Sequence, residues 1–153
     1  MFDHATGMQL ALQEARKALL KKEVPVGAVV VQDGRIVGRG YNLMETLQDP
    51  TEHAEMLAIT AAANTLASWR LDECVLYVTL EPCFMCTGAI LLSRIPTIVF
   101  GATDPRYGAC GSALQLAQHD RLDIRAELVS GIMEQECSAL IKSFFRTIRR
   151  NRT

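Results

Sequence analysis

At 153 residues, 49% hydrophobic and 22% charged, the chain has the proportions of one globular domain spanning 1–153, with a core of its own, and not those of a disordered or fibrous segment. Five cysteines, an odd number without framework spacing, exclude a small disulfide-stapled secreted scaffold, and no apolar run reaches membrane-spanning length. The net charge of −1 argues against nucleic-acid binding through bulk charge, so any such partner must be sought in the local charge distribution.

In chain order, residues 3–22 place Met8, Leu12, Ala15 and Leu19 on one helical face. This N-terminal stretch carries acidic residues and lacks a basic region leading into an apolar one, so it does not resemble a signal peptide. A reduced, cytoplasmic protein is expected. Next comes a predicted hairpin, with strands at 26–32 and 35–41 and the two-residue turn Asp33-Gly34. Residues 43–51 read as a polar loop whose Pro50 and Thr51 suit a helix start. An alanine-rich helix follows over 53–66, then a β-branched strand over 75–80, a helix over 84–93 and a strand over 97–101. A weaker strand at 125–129 and a long helix from about 132 to 149 complete the order. Helices and strands alternate without repeats or linkers, which predicts an α/β fold layered around one sheet.

The chemistry concentrates in two short stretches. Cys83 and Cys86, in LEPCFMC, sit where a strand turns into a helix, and a helix N-terminus favours the thiolate. Alone, this C-x-x-C fits a redox pair of the thioredoxin type as well as a metal site. His53, in DPTEHAE, also opens a helix that follows a strand, so the two helix starts can share one edge of the sheet. One imidazole and two thiolates are ligands suited to zinc, and three protein ligands leave a position open for water, as catalytic zinc sites do. Cys74 lies at the far end of its strand and Cys137 inside the last helix, which leaves Cys110 as the candidate fourth ligand. Glu55 supplies a carboxylate for proton transfer, although positions i and i+2 of a regular helix do not face each other. Read without these neighbours, it would be a first-turn acid stabilising the helix dipole. His4 and His119 have no such company and read as ordinary surface or core histidines.

His53-Ala54-Glu55 followed by Pro82-Cys83-Phe84-Met85-Cys86 resembles the H-x-E … P-C-x-x-C signature of zinc-dependent nucleoside and nucleobase deaminases. Gly40-Tyr41-Asn42, the stretches 49–55, 76–86, 93–95 and 100–112, and Ser143-Phe144-Phe145-Arg146 extend the resemblance to the bacterial tRNA-specific adenosine deaminases along nearly the whole chain. One departure is Glu52, where relatives commonly carry a small residue. The resemblance implies a cytidine deaminase-like three-layer α-β-α fold with a single mixed five-stranded sheet. It further implies one Zn2+ per subunit on His53, Cys83 and Cys86, and conversion of adenosine to inosine at the wobble position of a tRNA anticodon. Glu55 would shuttle the proton and Asn42 would contact the base. The Ala54 amide would hold water or base, Asp104 would lie by the sugar, and Phe145 and Arg146 would meet neighbouring nucleotides. A homodimer working on a tRNA anticodon stem-loop is implied, without membrane or DNA partners.

That substrate gives a use to the tail from residue 141 onward, where Lys142, Arg146, Arg149, Arg150 and Arg152 accompany Phe144 and Phe145 with no acidic residue. Without it, the tail would be the solvated cationic end of a helix. Two rivals remain at this stage. A deaminase of a free base, nucleoside or nucleotide needs no aromatic and basic tail. A zinc-stabilised RNA-binding subunit without activity has no need for Glu55.

Overall fold

The computed structural model describes residues 2–151; Arg152 of the basic tail lies outside them. Helix α1, His4–Leu20, starts at Asp3, whose carboxylate accepts the Thr6 N–H at 2.8 Å. Its buried face is Met8, Ala11, Leu12, Ala15 and Ala18. Leu19, expected on that face, is 37% exposed, because it falls in the last turn where the chain leaves the helix. Strands β1 (Gly27–Gln32) and β2 (Arg35–Tyr41) form the hairpin. Both turn residues, Asp33 and Gly34, have positive φ, the backbone such a tight turn requires.

The segment 43–51, expected to be loop throughout, contains a one-turn helix α2, Met44–Leu47. Its cause is tertiary: the buried Glu23 carboxylate accepts the N–H groups of Glu45 (3.1 Å) and Thr46 (2.6 Å) and the Thr46 hydroxyl, fixing the helix start from outside. Thr51 does not cap the next helix either. Its hydroxyl and N–H both bond the Asp49 carboxylate, and helix α3, Ala54–Leu66, takes His53 as its N-cap.

Strand β3 (Cys74–Leu80), helix α4 (Phe84–Leu92), strands β4 (Thr97–Ala102) and β5 (Glu127–Val129), and helix α5 (Glu134–Asn151) complete the chain. The strands form one five-stranded sheet in the order β2-β1-β3-β4-β5. β1 is antiparallel to β2 and β3, whereas β3–β4 and β4–β5 are parallel, so the sheet is mixed. Alternate residues point to opposite faces, as the pleat dictates. Ala28, Val30, Leu76, Val78, Ile98 and Phe100 pack with α3 and α4, while Val29, Val31, Tyr77 and Val99 pack with α1 and with Cys137 of α5. Helices therefore cover both faces, giving the three α-β-α layers, and β1 is apolar almost throughout because neither side meets water. Among the described residues no helix is long and apolar enough to cross a membrane.

Strand directions place the site. Because β1 is antiparallel to both β2 and β3, those two run the same way, and β4 runs with them. Tyr41, Leu80 and Ala102 thus end at one edge of the sheet, from which α3, α4 and the 103–112 segment depart. Ligands of α/β sheets bind at such carboxyl edges. Helix α3 is pressed close to β2 there: a Cβ on Gly40 would lie 2.3 Å from the Ala54 carbonyl oxygen, so only glycine admits the approach.

Candidate metal centre and substrate cavity

Helices α3 and α4 open in the same way. His53 and Cys83 are their N-caps, both in extended backbone conformation, and neither side chain caps its own helix. Imidazole and thiol are thereby free to reach across the sheet edge, and Cys86, in the first turn of α4, joins them. His53 Nδ1 lies 3.7 Å from Cys83 Sγ and 3.5 Å from Cys86 Sγ. With Zn–S near 2.3 Å and Zn–N near 2.0–2.1 Å, a tetrahedral centre spaces a sulfur and a nitrogen ligand about 3.6 Å apart. The three donors fit a zinc ion in number, type and spacing. Among the described residues they form the one such group whose ligand atoms all lie within 4.8 Å of one another.

The other cysteines stand apart from this cluster. Cys74 is buried at the far end of β3, Cys137 is buried in the layer with Met8 and Val99, and the Cys110 thiol approaches the Thr87 hydroxyl at 3.5 Å. The donor set is three protein groups with a position left over, the pattern of a catalytic and not a structural zinc centre.

The three groups perturb one another. The hydrogen bond from the Cys86 thiol, reinforced by His53, pulls the Cys83 thiol down to about 4. The same bond pushes the Cys86 thiol upward, and the bond to Cys83 raises the His53 imidazole.

Glu55 is 4% exposed, and burial pushes its carboxyl up to about 7. The i, i+2 difficulty does not arise. His53 stands outside the helix as its cap, so its direction is not set by the helical screw, while Glu55 lies in the first turn and borders the same cavity. That cavity encloses about 480 Å³ at the carboxyl edge of the sheet. His53, Glu55, Cys83, Asn42 and Glu81 are among the residues that line it. Its walls come from Met44 of α2, from residues 103–107, and from Ile141 and Phe145 of α5.

Asn42 is 6% exposed and its side-chain oxygen accepts the Ala54 N–H at 2.8 Å. This satisfies one of the orphan donors at the start of α3 and leaves the Asn42 amide nitrogen to the cavity. It also engages the Ala54 N–H within the protein, and Ala54 itself does not border the cavity. Asp104 borders the cavity, with one carboxylate oxygen accepting the N–H groups of Arg106 (3.0 Å) and Tyr107 (3.2 Å). Phe145 is 44% exposed at the cavity wall and stacks edge-on against buried Phe144, with centroids 5.3 Å apart. Arg146 is outside the cavity lining, and its Nε donates to the Lys142 carbonyl at 3.4 Å. Glu52 is half-buried and ties the loop through its backbone, its carbonyl accepting the Leu43 N–H.

Sequence reasoning passed over Glu23, Glu81 and Tyr107. Tyr107 is half exposed beside the cavity, with the Arg106 guanidinium 5.2 Å from its ring centre. Glu23 and Glu81 had a legible signal: each is an acid flanking an apolar strand, where a carboxylate must find donors or leave the core.

The chain matches the MafB19-like deaminase family over residues 2–149. It is 49% identical over 145 residues to the tRNA-specific adenosine deaminase of Bacillus subtilis (strain 168), a match covering 95% of this chain and 90% of that one. To the tRNA-specific adenosine deaminase of Streptococcus pyogenes serotype M18 (strain MGAS8232) it is 43% identical over 139 residues, covering 91% and 87%. Among solved structures it is similar, with a TM-score of 0.84 and 42% identity, to a chain from biochemical and structural studies of A-to-I editing by tRNA:A34 deaminases at the wobble position of transfer RNA. That match covers 88% of this chain and 97% of the other.

Proposed function

The chain belongs to the MafB19-like deaminase family, and from that premise we propose that it hydrolyses adenosine to inosine at the wobble position of a tRNA anticodon. The observation that carries the reading is the convergence of His53, Cys83 and Cys86 beside buried Glu55, with His53, Cys83 and Glu55 lining a cavity of about 480 Å³. The whole chain, 1–153, acts as one deaminase domain, in the cytoplasm, as a homodimer with the RNA site near the subunit boundary.

His53, Cys83 and Cys86 hold one Zn2+ per subunit. When bound, zinc supplies a water whose pKa is lowered to about 7, a nucleophile available at neutral pH. Glu55, buried beside the cluster, accepts a proton from the attacking water and delivers it to the ring nitrogen next to C6 of adenine. The new C–O bond at C6 is followed by cleavage of the C–N bond. Glu55 carries the second proton to the departing amine, so that adenosine and water become inosine and ammonia. Asn42, its oxygen already bonded to Ala54, offers the base an N–H donor suited to a purine ring nitrogen.

An anticodon loop suits this cavity because an unpaired base costs only a few kcal/mol to extrude. The carboxylate oxygen of Asp104 not engaged by Arg106 and Tyr107 serves the sugar of the target nucleotide. Phe145 offers a stacking surface to its neighbours, with Arg146 beside it for phosphate. The test is parallel turnover, by zinc-loaded protein, of a wobble-adenosine stem-loop, its deoxy counterpart, free adenosine, cytidine and guanine. Turnover confined to the RNA stem-loop is expected. Turnover of a free base or nucleoside alone would move the protein to the small-molecule deaminases.

A further inference from the structure

Glu81 stands between β3 and α4, two positions before Cys83, and is 2% exposed. Its carboxylate accepts four hydrogen bonds. One oxygen takes the Asp104 N–H at 3.1 Å and the Ser112 hydroxyl; the other takes the N–H groups of Cys110 at 3.0 Å and Ser112 at 3.1 Å. All four donors belong to one segment, and Asp104 to Tyr107 of that segment form a wall of the cavity. The backbone follows the same course. Ala109 donates to the Pro82 carbonyl at 2.8 Å, and Cys83 pairs with Gly108 as an isolated antiparallel bridge. A Cβ on Gly108 would lie 2.4 Å from the Glu81 carboxyl carbon, so a glycine is required for the chain to pass over this side chain.

Segment 103–112 has no helix and no strand ladder of its own. A buried carboxylate with four donors from one loop therefore takes the place of the regular hydrogen bonding the loop lacks. Neither oxygen is left for a proton transfer, and the steps assigned to Glu55 do not use it. We propose that Glu81 is a positioning residue, whose backbone leads into Cys83 and Cys86 and whose side chain fixes the substrate wall at a set distance from them. The proposal rests on the deaminase reading only for what that wall grips, the nucleotides around the target base. Positioning of this kind governs how the RNA is held and not how the water is activated.

Glu81→Gln keeps the size of the side chain but turns an amide NH2 toward N–H donors. In the zinc-loaded variant the amides of Asp104, Cys110 and Ser112 are expected to lose hydrogen-exchange protection by about tenfold or more. Bound zinc should stay at the unmodified level, and KM for the stem-loop should rise about tenfold with kcat within a factor of about three. Ser112→Ala, which removes only the hydroxyl donor, should shift the same quantities less and in the same direction, and it decides the matter if Glu81→Gln does not fold. Unchanged protection at the three amides would overturn the proposal. So would loss of zinc, or a fall in kcat at constant KM. If the unmodified protein were inert on every stem-loop, the functional reading would fail, while exchange at those amides would still decide the role of Glu81.

Discussion

The side-chain oxygen of Asn42 accepts the backbone N–H of Ala54 at 2.8 Å, so a residue at the end of one strand caps the helix that carries Glu55. The same bond orients the amide and presents its nitrogen to the cavity. Two functions of one side chain can be separated by substitution. Asn42→Ala should lower stability by about 1 kcal/mol through the lost cap and also weaken catalysis. Asn42→Asp keeps an acceptor for Ala54 but has no donor for the base. Thermal melts should then place Asp close to the unmodified protein, while kinetics place it with Ala. Equal stability losses in both would contradict the capping role.

Glu55 is expected to matter to turnover and not to metal retention. Glu55→Gln removes the proton carrier while leaving His53, Cys83 and Cys86 intact, so metal analysis should still find one zinc per chain. The rate constant for turnover should fall by about 10²–10⁴. A variant that keeps its rate would move the proton shuttle elsewhere.

Cysteine substitutions separate the thiols of the cluster from those outside it. Cys86→Ala should lose both bound zinc and activity, since it leaves two ligands where three converge. Cys110→Ala should keep its zinc, because the Cys110 thiol approaches Thr87 and stands outside the cluster. Stoichiometric zinc in Cys86→Ala would defeat the ligand assignment.

If Phe145 and Arg146 meet the RNA as proposed, they do so by different physics. Loss of one stacked base is worth about 1–3 kcal/mol, so Phe145→Ala should weaken stem-loop binding by roughly 5- to 150-fold with little change in zinc content. Arg146→Ala should weaken binding less and flatten its salt dependence, lowering the log–log slope by about 0.7 for one phosphate contact on a single strand. Binding titrations at several salt concentrations check both. An unchanged slope for Arg146→Ala would remove it from the phosphate contacts.

The parts of this fold legible in the sequence are those written in local pattern. The Asp33-Gly34 turn fixed the hairpin, and the short β-branched run VLYVTL marked a strand. His53 and Cys83 each follow a strand and open a helix, which was enough to anticipate their meeting. What escaped depends on partners remote in the chain. Helix α2 exists because Glu23 reaches its first N–H groups. The start of α3 is capped by Asn42 and not by nearby Thr51. The 103–112 wall takes its shape from Glu81, whose position flagged a buried acid but not which later residues would bond it. Even Leu19, in phase with the apolar face of α1, is exposed through where the helix ends and not through its period.

The central claim is hydrolysis at the wobble adenosine, and mass analysis of the product made in oxygen-18 water tests it most directly. Zinc-loaded protein should place one heavy oxygen in inosine at the wobble position and release one ammonia per inosine, with the Glu55→Gln variant as the blank. Zinc-bound protein that leaves the stem-loop as adenosine, or that gives inosine without the label, would contradict it.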